Sequence, residues 1–156
     1  MISHLPQLRK VGADFFAEQD GVAMTEAIVV VPFLTLFAVG VLEFGALFWQ
    51  REQIETGLRD AARYMTRCRH DTAVCEATAR NLAYYGSSAN TGVLRVPSWN
   101  AANSPIAIPP PVTTVGGQQI ITVSTTHDLT NSPHFGLFGI DAISISARHN
   151  RRVIGW

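Results

Sequence analysis

The chain has 156 residues, 12 of them basic and 12 acidic, so its formal net charge is zero and nothing global draws it to nucleic acid. A composition that is 47% hydrophobic and only 15% charged excludes disorder, and two cysteines cannot staple a disulfide-rich scaffold. Soluble domains average roughly 25% charged residues. The deficit here, with a positive mean hydropathy, points to a membrane.

Residues 1–21 read as a polar leader or cytoplasmic segment. Residues 27–42 (AIVVVPFLTLFAVGVL) then carry no charge, and extending the run to residues 22–49 admits only Glu26 and Glu43. A helix over 22–49 is about 40 Å long, enough to cross a hydrocarbon core of about 30 Å with some tilt. Trp49 and the charges from Arg51 onward mark an interface. Pro32 is tolerable in a membrane helix when the freed carbonyl finds another partner. The competing readings are a buried core helix, for which the run is long and uniformly apolar, and a cleaved secretory signal, whose apolar region is shorter and followed by a small-x-small site.

Residues 50–69 set Ile54, Leu58, Ala61, Met65 and Cys68 on one apolar stripe, with Glu55 and Arg59 one turn apart on the polar side. No proline or turn cluster separates this segment from the apolar run, and Gly57 alone is a weak breaker. The membrane helix is therefore expected to continue into it. Asp71 suits the N-cap of a second helix over 72–85, which Gly86 can close. Residues 87–117 form a Pro-rich loop, with at most a short strand around 93–96. Residues 119–127 and 142–149 alternate as β-strands, separated by the apolar loop SPHFGLFGI. The expected fold class is α+β: a transmembrane helix running into an amphipathic one, a short helix, and a small antiparallel β-containing domain over 50–156.

Chemistry concentrates at the start of the apolar run. A carboxylate beside lipid is costly, so Glu26 asks for a cause. Were the chain cut between Gly21 and Val22, Glu26 would become the fifth residue, able to neutralise the new ammonium of a neighbouring subunit, as subunits of a pilus pack apolar helices together. Alternatively Glu26 snorkels to the interface. Glu43, about 25 Å further along a helix, can mark the opposite interface.

Gly21 through Glu26, Pro32, Glu43-Phe44-Gly45 and Arg59-Asp60-Ala61-Ala62-Arg63-Tyr64 together resemble the N-terminal signature of TadE-like proteins, pseudopilins of the tight-adherence (Tad, or Flp-type) pilus machinery of bacteria. The resemblance is strongest over residues 20–66. It implies a non-catalytic, single-pass protein of the cytoplasmic (inner) membrane needed for pilus assembly, with its C-terminal domain outside. It also implies cleavage by a prepilin peptidase between Gly21 and Val22, and an assembly role for Glu26. The implied partners are other Tad pseudopilins, the major Flp-type pilin and the Tad membrane platform, with no cofactor and no nucleic acid. A signal-anchored extracytoplasmic binding module unrelated to pili is the alternative.

Two features bear on orientation. Positive-inside counting sets Arg9 and Lys10 before the helix against Arg51, Arg59, Arg63, Arg67 and Arg69 after it, which opposes the family's topology; the rule weakens for long translocated domains. Cys68 and Cys75 would lie about 10 Å apart on an unbroken helix, beyond the roughly 7 Å limit of a disulfide. A break near Asp71 lets them close, and closure needs an oxidising compartment. Free thiols are the other possibility.

Catalytic readings find little. No nucleophile elbow, phosphate loop or zincin motif is present. Cys68, His70 and Cys75 have no fourth local ligand at a standard zinc spacing. His127 and Asp128 are strand neighbours that face opposite ways and read as surface positions; Ser132 and His134 have no nameable partner. Arg148, Arg151 and Arg152 form a basic tail open to two readings, contact with anionic lipid or nucleic acid, or a solvated strand edge.

Overall fold

A computed structural model describes residues 20–129 and 143–153; the leader residues 1–19, Ser132, His134 and the apolar loop around them lie outside the described residues. Helix α1 (Asp20–Met65) runs unbroken for 46 residues, Pro32 included. With no turn chemistry between the apolar run and the amphipathic stretch, one helix serves both. Thr35 Oγ1 donates to the Val31 carbonyl at 2.8 Å, within one turn of Pro32.

The amphipathic stretch stops at Met65 rather than at 69. Arg67 and Cys68 N–H groups both turn onto the Tyr64 carbonyl at 3.0 Å, and Thr66 Oγ1 donates to the Arg63 carbonyl at 2.9 Å. These bonds satisfy carbonyls that a continuing helix would have used. Helix α2 (Thr72–Tyr85) begins at Asp71, whose Oδ1 accepts from the Ala73 N–H at 3.2 Å. It ends at Gly86, which takes the left-handed conformation (φ 71°) and donates to the Leu82 carbonyl.

No strand forms at 93–96. The segment folds inward instead, with Arg95 N–H bonded to the Tyr84 carbonyl at 2.8 Å and Val96 and Trp99 fully buried. Among the described residues the strands make one antiparallel sheet in the order β1 (Val112–Thr113), β2 (Gln119–Leu129), β3 (Ile143–Arg152). The β2–β3 ladder runs from Ile120↔Arg152 to Leu129↔Ile143, so both strands extend past the 127 and 149 that alternation alone marks. Ala107 adds a bridge to Ser124 through two backbone bonds of 2.8 and 3.0 Å.

The chain divides into two compact units between Leu42 and Glu43. The second, here called the head, has the core. Ile54, Leu58, Ala61 and Ala62 of α1 meet Ala79, Ala83 and Tyr84 of α2. Val96, Trp99, Ile106 and Ile108 from the loop fill the centre, and the inner sheet face supplies Ile121, Val123, Ile145 and Ala147. Alternation along β2 is strict on that face, where Thr125 and His127 complete the row.

Candidate functional site

The first stretch of α1 buries nothing. Met24, Ile28, Val29, Phe33, Leu36, Phe37, Leu42, Phe44 and Phe48 are all more than half exposed, on every side of the helix. A helix that is apolar all round has no polar face to give to water. The span from Ala23 is long and apolar enough to cross a membrane. Glu26 is exposed within it and Glu43 half-buried. Gly21 lies in the first turn of α1, exposed, with open space where a side chain would stand; Thr25 Oγ1 donates to its carbonyl at 3.3 Å.

The head end of α1 is the reverse, a surface of small residues pressed against its neighbours. At Gly57 an added Cβ would stand 2.7 Å from the Ala83 carbonyl oxygen and 2.8 Å from the Trp99 ring. Ala61 and Ala62 are fully buried beside it. Asp60 and Arg95 pair at 2.6 Å, tying α1 to the loop beyond α2. Glu55 pairs with Arg51 at 3.1 Å, not with Arg59 one turn the other way. Past the end of α1, Cys68 and Cys75 are joined by a disulfide with Cα atoms 5.9 Å apart. Sulfurs joined in a disulfide are no longer thiolates and do not serve as metal ligands.

Residues 21–63 match the family model described as TadE-like protein. Over that stretch the chain is similar to TadE-like proteins. The match runs from the glycine before Val22 to the second arginine of Arg59-Asp60-Ala61-Ala62-Arg63, and so covers α1 almost to its end. No curated protein and no solved structure matches the chain. The matched stretch thus carries two surfaces of different character, the apolar part of α1 and the small-residue seam around Gly57.

Sequence reasoning took His127 for a surface position, and the structure corrects this. Its side chain is 2% exposed and Nδ1 lies 2.8 Å from Ser104 Oγ, itself buried. Burial holds its pKa below the usual histidine value, opposed by Asp128, which faces outward. Around it Tyr84 bridges the loop, its hydroxyl donating to the Ser104 carbonyl at 2.9 Å and accepting from the Ile106 N–H at 3.1 Å. Burial pushes the Tyr84 hydroxyl pKa up. Tyr84 and Trp99 meet edge to face at 5.1 Å between centroids. These side chains fasten the Pro-rich loop to the sheet. The alternation of β2 put His127 on the inner face together with Ile121 and Val123, and that was the signal available for it.

Proposed function

We propose that this chain is a non-catalytic, single-pass pseudopilin of a Tad/Flp-type pilus assembly system. Its leader is removed between Gly21 and Val22 by a prepilin peptidase, and its head stands outside the cytoplasmic membrane. The reading rests above all on the coincidence of the TadE-like match with a helix apolar on all sides that bears an acid five residues after the glycine. A helix of that kind can exchange lipid for the apolar helices of other subunits at little cost. Glu26 gives the exchange a direction, since a carboxylate unfavourable among acyl chains becomes favourable beside a partner's terminal ammonium. The exposed Gly21 gives a peptidase access. The Cys68–Cys75 bond suits an oxidising compartment and hence the outside orientation. Other Tad pseudopilins, the major Flp-type pilin and the Tad platform are the partners this role requires.

Intact-mass measurement of membrane-extracted protein, from cells with and without the peptidase, tests the reading. We expect the first form to begin at Val22 and the second to keep residues 1–21, and Gly21→Leu to remain uncut with the peptidase present. Glu26→Ala should insert normally yet abolish piliation. Functional protein that retains Met1 or Ile2 beside active peptidase, or full piliation of Glu26→Ala, would overturn it.

A further inference from the structure

The outer face of the sheet carries a hollow that neither the core nor α1 uses. Its floor follows from the pairing register. Directly opposed residues of an antiparallel pair share a face, and so do residues two apart on one strand. Ser124 stands across from Arg148 and Thr126 across from Ser146. All four side chains therefore leave the sheet on the side away from the buried Val123, Thr125 and His127. On the other flank of β2, Ala107 bridges to Ser124. That segment alternates too: Ile106 and Ile108 are buried, and Pro105 and Ala107 are exposed. Two rows result, Ala107 with Ser124 and Arg148, and Pro105 with Thr126 and Ser146. They line a cavity of about 450 Å³.

Polarity alone would mark nothing, since the solvated face of an antiparallel sheet is ordinarily polar. The length of the side chains sets this face apart. Long charged residues usually occupy exposed positions, yet here alanine, proline, serine and threonine leave the sheet bare beside a single arginine. The rows span about 10 Å across the strands and lie about 7 Å apart along them. Small-molecule sites have volumes of about 300–1,000 Å³, and the hollow falls within that range.

The groups that line it fit one kind of ligand. Arg148 is exposed and meets no carboxylate among the described residues. Thr126 Oγ1 and Ser146 Oγ lie 3.2 Å apart, so one hydroxyl donates to the other, which keeps its own proton to offer outward. Ser124 adds a third hydroxyl, directly across from the guanidinium. Its backbone N–H and C=O are both taken by Ala107. Neutral groups that donate and accept match the hydroxyls of a sugar, which do both. One cation matches one negative charge, and a guanidinium holds a carboxylate through two parallel bonds. A phosphate dianion calls for more positive charge than this lining supplies.

We propose that the hollow binds a uronic acid, a sugar bearing a carboxylate, with the carboxylate on Arg148 and the ring hydroxyls over Ser124, Thr126 and Ser146. The site lies wholly within the head and stands whether or not the chain serves a pilus.

The test is an amide-shift titration, by nuclear magnetic resonance, of the full unreduced chain in a zwitterionic detergent without sugar groups. Methyl glucuronide should give saturable shifts centred on Ala107, Ser124, Thr126, Ser146 and Arg148. Methyl glucoside has the ring without the charge and acetate the charge without the ring; each should bind about tenfold more weakly. Arg148→Gln should weaken methyl glucuronide about tenfold and leave methyl glucoside unchanged. Arg152→Gln, on the same face of β3 but outside the hollow, should alter neither. Ser146→Val keeps strand propensity while filling the floor, and should abolish binding. Absence of saturable shifts from chain with a folded spectrum overturns the site. Acetate binding as tightly as methyl glucuronide overturns the sugar in favour of a bare carboxylate, such as an acidic protein partner offers. Tighter binding of a sugar phosphate with the same ring overturns the match to a single charge.

Discussion

Glycines measure the difference between the two stretches of α1. At Gly40 and Gly45 an added Cβ would meet nothing within 4 Å, whereas at Gly57, on the same helix, it would strike a backbone carbonyl and an indole ring. The first stretch offers its surroundings a smooth apolar cylinder and asks only for an apolar solvent. The second is specified against particular neighbours, and every residue volume along it matters. One helix can serve both because its backbone bonds are satisfied internally in either setting. Side chains alone decide whether it faces an apolar solvent or a packed core.

The comparison breaks most readily at the disulfide. Closing the short loop between Cys68 and Cys75 removes chain entropy worth about 2.5 kcal/mol on the loop-closure estimate. Reduction, or Cys68→Ser with Cys75→Ser, should lower the melting midpoint of the head in detergent and leave membrane extraction of the chain unchanged. A midpoint that does not move would mean that the turn after α1 is held without the bond. Gly57 sharpens the contrast further. Gly57→Ala must push α2 or Trp99 outward and should cost about 1–3 kcal/mol. Gly40→Ala, made on the same helix, should leave the melt unaltered. Chemical denaturation of the two variants side by side decides this, and equal midpoints would remove the distinction between the stretches.

The local signals for the fold were legible because each is carried by adjacent residues. Asp71 and Gly86 bracket α2, period-two alternation marks β2 and β3, and the apolar run announces the first part of α1. The family resemblance was legible for the same reason, its motifs lying in order along one helix. Long-range features were not. Arg95 finds Asp60 across 35 residues and Ser104 finds His127 across 23, and no local pattern pairs them. Gly57 read as a weak helix breaker because its need for a hydrogen in place of a side chain comes from Ala83 and Trp99, remote in sequence. The 93–96 segment has strand-like composition, but Val96 is worth more to the core as a buried plug beside Trp99 than to a sheet edge.

The smallest effect is a dependence on pH that should belong to the head alone. His127 is buried with Nδ1 on the Ser104 hydroxyl, and burial lowers its pKa in the folded chain, with only Asp128 opposing. Lowered in the folded state, the group takes up a proton more readily once the chain unfolds. Stability is therefore complete above the unfolded value of about 6.5 and falls as pH drops below it, levelling off only beneath the folded pKa. His149 shifts the same way, from burial and from Arg59 and Arg151, and adds to the slope. The apolar stretch of α1 contains no histidine, so membrane insertion should not follow this profile. Melting the full chain in detergent between about pH 7.5 and pH 5 should show a lower midpoint of the head at the acid end. His127→Gln keeps an oxygen to accept from Ser104 without a titrating ring, so it should flatten most of the slope, and adding His149→Gln should remove the remainder. A slope that survives both changes would place the acid sensitivity elsewhere in the head and leave the buried Ser104–His127 pair as a fastening only.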